Sequence, residues 1–161
     1  MKGCSDMKDA KFSSVSAELA VMSELAWHGY NVAQPAVDIG DDIYVYKEDT
    51  HELLRVQVKS AQERPHRYYV FVVRLDQLER QGDNRLFYAF AARHNDKERW
   101  EFLVIPREAL NLLRVRGRIG QVESADGAKF QLNIKFDDDN VPFAGSTNMS
   151  EYFNKWELIH L

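Results

Sequence analysis

Cysteine is almost absent: Cys4 is the single one in 161 residues. An intrachain disulfide is thereby excluded, and no Cys/His pair stands at the spacing of a zinc site. A reducing compartment is the natural setting, so the expected location is the cytoplasm. No run approaches the roughly 20 apolar residues that a membrane-spanning helix needs. The opening residues, Met1 to Lys11, are polar and mixed in charge, unlike a secretory leader, and residues 1–12 are expected as a disordered lead-in. Positive charge is not in excess either. Lysine and arginine number 21 against 25 aspartates and glutamates, a net charge of −4, so the whole molecule does not advertise nucleic-acid binding. Internal repeats and low-complexity linkers are also missing.

What remains suits one globular domain over residues 13–161, with 45% apolar and 29% charged residues. A helix is expected over residues 14–28. Ser13 or Ser14 can cap its start, Gly29 can end it in the left-handed conformation, and His28 suits the negative end of its dipole. An extended stretch, residues 30–37, is broken by Pro35. Strands follow at 42–46 and 53–60, joined by a polar turn at 47–51, and so read as a hairpin. Residues 68–74 form a third strand, and 86–92 and 100–105 pair around Asn95, Asp96 and Lys97. Pro106 opens a short helix to about residue 113. Residues 129–136 are a late strand, and Ser150 can cap a final helix carrying Tyr152, Trp156 and Ile159. The order predicts a single α/β domain with a mixed central sheet and flanking helices.

The candidate chemistry gathers in the first half of the chain. At helical spacing Val15, Leu19, Met22, Leu25 and Ala26 share one stripe, with Glu18 inside it and Glu24 opposite. A carboxylate on a packing face is costly unless paired, so Glu18 either reaches solvent at the stripe's edge or aims at a metal or lysine in the sheet. The strand at 53–60 alternates: Leu54, Val56 and Val58 face one way, Arg55, Gln57 and Lys59 the other. That polarity is what the wet face of an antiparallel strand also shows. The preceding strand opens on Asp41 and Asp42. Asp42 adjoins the apolar run directly and can lie beside Gln57 across the hairpin; Asp41 and Asp38 are the alternatives.

Taken together, these residues resemble the PD-(D/E)XK nuclease superfamily, whose fold is restriction-endonuclease-like. The pattern is Glu18 on a helix, then Pro35, Asp38, Asp41 and Asp42 ahead of Ile43, then Gln57-Val58-Lys59 on the next strand. Glutamine stands where Asp or Glu is usual, which is similar to a glutamine branch that includes an intron-encoded homing endonuclease. The likeness covers residues 13–60. It implies a magnesium- or manganese-dependent endonuclease acting on DNA. Asp42, Gln57 and the Val58 carbonyl would be metal ligands, with Glu18 at a second metal directly or through water. Lys59 would orient the attacking water or stabilise charge on the phosphorus. The glutamine lowers the site's negative charge, and the alternative is a non-catalytic nucleic-acid-binding or protein-interaction module on a degenerate nuclease fold.

Two basic clusters could meet phosphates or simply face solvent. One holds Arg55, Lys59, Arg64, Arg67 and Arg74 against Glu63 alone; the other is Arg114, Arg116 and Arg118. Arg55, Arg64 and Arg67 are the candidate nucleic-acid contacts. Two copies would serve to cut both strands, so a homodimer is an expected partner alongside DNA. Asp137, Asp138, Asp139 and Asn140 read as a solvated turn, and His51, His66 and His94 as surface residues. Tyr152 and Trp156 read as core.

Overall fold

The computed structural model describes residues 3–36, 40–80, 85–95, 99–119, 121–123 and 127–159. Helix α1 spans Gly3–Trp27. It therefore begins at Gly3, not at Ser14, and most of the expected lead-in is helical. Gly29 ends it as expected. With φ at +87°, its N–H donates to the Ala26 carbonyl while the Tyr30 N–H donates to that of Leu25, which closes the last turn. His28 sits beside this end, its Nδ1 2.8 Å from the Glu24 carbonyl oxygen.

The buried line of α1 is Ala17, Val21 and Leu25, not the expected stripe; Val15 and Leu19 are about half exposed. Small Ala17 lets the helix approach the sheet, and the bulkier residues on the neighbouring arc stay outside. Glu18 and Glu24 flank the buried line on its two sides, each partly buried, so Glu24 is not opposite.

The first sheet holds β1 (Asn31–Ala33), β2 (Ile43–Lys47), β3 (Glu52–Gln62), β5 (Leu86–Arg93) and β6 (Trp100–Pro106), in that spatial order. The expected hairpin of β2 and β3 is present, with Ile43 opposite Val56 and Lys47 opposite Glu52. β3 and β5 run parallel, with Gln57 beside Tyr88; β5 and β6 are antiparallel, with Tyr88 opposite Ile105. The connection between β3 and β5 contains β4 (Tyr68–Arg74) and the short helix α2 (Leu75–Leu78).

β4 does not join the central sheet. It pairs with β8 (Lys129–Phe136) in a second sheet, which also holds β7 (Gln121–Glu123), β9 (Pro142–Ala144) and β10 (Thr147–Asn148). The molecule is thus three-layered, with α1 on one face of the first sheet and the second sheet on the other. Ala17, Val21 and Leu25 pack with Val56, Val58, Ala89 and Val104 in one core. Tyr88, Phe90, Leu103 and Ile105 meet Tyr69, Phe71, Phe130 and Leu132 in the other. Covered on both faces, β5 is buried along almost its whole length.

Helix α3 (Arg107–Val115) follows β6 directly, with Pro106 at the capping position. The expected final helix is absent. Residues Ser150–Tyr152 and Trp156–Leu158 form two short 3₁₀ turns, and Ser150 is inside the first turn, not its cap. The Asn154 N–H donates to the Phe102 carbonyl between them, holding this stretch to the edge of β6. Trp156 is buried and Tyr152 partly so, as expected. Among the described residues no helix is long and apolar enough to cross a membrane.

Candidate active site

Asp42 stands one residue ahead of β2, and its N–H donates to the Val56 carbonyl. That carbonyl belongs to the partner of Ile43, so Asp42 stays against β3, where its side chain meets Gln57. One carboxylate oxygen of Asp42 accepts from Gln57 Nε2 at 2.7 Å and from the Val58 N–H at 2.6 Å. β2 has ended at this level, so a carboxylate takes the place of the next strand carbonyl. A strand residue turns its N–H and C=O to the same side, so the Val58 carbonyl lies on the same side of β3 as its N–H.

Asp42 has its pKa raised to about 6, chiefly by burial. The Val58 N–H, the Lys59 ammonium and the Gln57 amide pull it down, and the Glu18 carboxylate pushes it up. The same interactions describe the neighbourhood: Glu18, Gln57, Val58 and Lys59 all act on this one carboxylate. Glu18 acts on it from α1 through its charge. Its carboxylate accepts from the Ser14 hydroxyl and from Gln34 Nε2, each at 3.2 Å. Lys59 is partly buried, two positions from Gln57 on the same side of β3.

Asp41 is engaged elsewhere, in a 3.2 Å ion pair with Arg55 Nη1. Asp38 lies outside the described residues. The geometry thus joins Asp42, not Asp41, to Gln57 and Val58. Gly40 fixes the approach to this pair. Its φ is +93°, and a Cβ there would stand 2.5 Å from Gln77 Nε2 of α2.

A hard divalent cation takes oxygen ligands. Gln57 is 4% exposed, and its Oε1 is buried without a hydrogen-bond partner. A buried amide oxygen left unpartnered is rare and costly. The amide nitrogen, not this oxygen, faces Asp42; with the amide turned over, the Gln57 oxygen, the Asp42 carboxylate and the Val58 carbonyl would make a set of oxygens suited to magnesium or manganese. Among the described residues no group of three or more His, Cys, Asp or Glu side chains gathers as a metal site. The fit rests on an amide and a backbone carbonyl beside few carboxylates.

Of the candidate nucleic-acid contacts, Arg55 stands beside this cluster, paired with Asp41, whereas Arg64 and Arg67 are not gathered with it. Arg64 is exposed at the far end of β3, in a bridge to Tyr68. The Arg67 guanidinium donates to the Asp137 carbonyl and to Asn140 Oδ1, and lies over the Phe136 ring. Arg67 thus holds the turn at residues 137–140, where the Asp137 carboxylate accepts the Val141 N–H.

His51 and His66 are exposed, as expected, but His94 is not. It is 1% exposed, hydrogen-bonded to the Tyr69 hydroxyl at 2.8 Å and to the Glu101 carboxylate. Burial raises the Glu101 pKa, but His94, Asn140 and Arg99 outweigh it and hold the carboxyl below its usual value. This cluster joins strands from both sheets and could not be read from local patterning. Glu101 within an apolar strand was its one visible sign.

Neither a protein-family model nor a curated protein sequence matches this chain. Among solved structures the fold matches that of a bacterial homing endonuclease, I-Ssp6803I, with a TM-score of 0.57. The fold is nuclease-like. The match covers 92% of this chain and 89% of that one, at 21% sequence identity. It runs well past the hairpin, through both sheets.

Proposed function

We propose that this protein hydrolyses phosphodiester bonds of DNA with a divalent cation, magnesium or manganese, at Asp42, Gln57, Val58 and Lys59, assisted by Glu18. The observation that carries the reading is the Asp42 carboxylate bonded to Gln57 and the Val58 N–H, with Lys59 and Glu18 acting on it, in a nuclease-like fold. The resemblance of the Gln57-Val58-Lys59 segment to the PD-(D/E)XK pattern agrees with the homing endonuclease as a structural neighbour.

The bound cation would supply Lewis-acid activation of the phosphate and a more acidic water. The residues have separate tasks. Asp42 would hold the cation as its ionised carboxylate, and burial, which raises its pKa to about 6 without the metal, makes binding compete with a proton. Gln57 would help hold the cation through its amide oxygen. Lys59 brings a positive charge to the place where negative charge develops on phosphorus. Glu18 adds a second carboxylate from across α1.

Supercoiled, single-stranded and branched DNA incubated with magnesium or manganese test the reading. Loss of substrate that a chelator blocks supports it. A second reading is a non-catalytic nucleic-acid-binding or protein-interaction module. It is favoured by Gln57 in an acidic position and by an Asp42 carboxylate already engaged internally. DNA bound but left intact with both metals would select it. A cytoplasmic location and pairing of two copies accompany the nuclease reading. Phe12, Val15 and Leu19, exposed along α1, offer an apolar face for that pairing, which sedimentation equilibrium measures.

A further inference from the structure

One row of side chains crosses the first sheet on the face turned toward the second: Asp42, then Gln57, Tyr88 and Ile105 on successive strands. Arg107 stands two positions past Ile105, as the first residue of α3. Its charge acts on the Tyr88 hydroxyl, as does that of Asp42, so all three belong to one electrostatic neighbourhood.

Arg107 is 5% exposed, and its Nε is buried with no hydrogen-bond partner. Its nearest acid, Glu108, is 4.0 Å away and largely in water, too weakly placed to neutralise it. A desolvated guanidinium with an unmade N–H bond is seldom kept by a fold unless something completes it. Arg107 also lines a cavity of about 410 Å³ with Arg80, Glu79, Glu108 and Asn111. Of the two acids, Glu79 is already paired with Arg114. α3 starts without a side-chain cap, and its first two residues, Arg107 and Glu108, at the positive end of its dipole, line the same cavity. A buried arginine fork, a second arginine and an uncapped helix start share the chemistry of a phosphate site.

We propose that Arg107, with Arg80 at the same cavity, grips a backbone phosphate of the strand cut at Asp42, a few nucleotides from the scissile bond. Neighbouring strands lie about 4.8 Å apart, so three strand steps and two residues along put Arg107 roughly 15 Å from Asp42. This inference rests on the nuclease reading for its substrate, and it explains how a chain of net negative charge holds DNA.

The test is equilibrium binding of a fluorescein-labelled DNA duplex in calcium, across a potassium chloride series, for wild type, Arg107→Gln, Arg107→Lys and Arg80→Gln. Circular dichroism establishes that each variant is folded. Arg107→Gln is expected to weaken binding about tenfold or more and to lower the salt slope by about one. Arg107→Lys is expected to restore the slope without the full affinity. A folded Arg107→Gln with wild-type affinity and slope overturns the proposal. Should that variant not fold, an unchanged slope in Arg80→Gln overturns it. If wild type binds no DNA, the nuclease reading fails separately, and inorganic phosphate followed by ³¹P NMR decides the anion site. Broadening by wild type that Arg80→Gln reduces supports it, and no broadening overturns it.

Discussion

Neutralising Asp42 should change how stability depends on pH. In the folded chain this carboxyl ionises at about 6, against an ordinary value of 3.8. Between those values the folded state holds a proton that the unfolded state has released. Stability therefore falls as pH rises from about 4 to about 6 and is level above that. A fully enclosed carboxyl shifted by two pH units would contribute about 3 kcal/mol. Asp42 is partly open to water, so roughly 1–2 kcal/mol is expected after screening. Asp42→Asn removes the titration. Urea unfolding of the metal-free proteins, from about pH 4 to pH 7, should show the variant gaining roughly 1–2 kcal/mol on wild type across that window. Other titrating groups cancel in the difference. Magnesium should reverse the wild-type decline, because it binds the ionised carboxylate. A difference curve that stays flat would refute the burial of Asp42 as the source of the shift.

Three further substitutions probe the frame around the site. Gly40→Ala forces a side chain into a left-handed backbone and against Gln77, and should cost about 1–2 kcal/mol in a thermal melt. Tyr69→Phe leaves buried His94 without its partner hydroxyl and should cost about 1–3 kcal/mol by urea unfolding, while DNA cleavage is retained. Phe90 packs between Tyr88 and Phe71 at ring separations of 5.7 and 5.2 Å. Phe90→Ala should cost about 3–5 kcal/mol, read as a lower urea midpoint with unchanged slope.

Local rules carried the first half of the chain well. Alternation within residues 53–60 set which side chains share a face, and the structure keeps Gln57 and Lys59 together there. Asp42, just ahead of β2, then meets Gln57 on β3, a contact that needs only neighbouring strands. The helix was harder, because two arcs of α1 satisfy the same periodicity. Ala17, Val21 and Leu25 win through close approach to the sheet, which sequence spacing does not encode. The division into two sheets depends on partner choice over long separations. β4 is an alternating strand with one wet face and finds β8, whereas continuously apolar β5 lies between two covered faces. Arg107 and the Tyr69, His94 and Glu101 cluster draw their significance from burial by distant segments, so beyond Glu101 in an apolar strand no local pattern marked them. The final segment carries apolar residues at helical spacing, yet Asn154 binds the β6 edge and interrupts it.

The central claim is that Lys59 serves chemistry at Asp42 and Gln57. Cleavage of DNA under single-turnover conditions in magnesium, wild type beside Lys59→Ala, tests it most directly. A rate at least about a hundredfold lower is expected in the variant, with DNA affinity retained. Equal rates in the two proteins would contradict it.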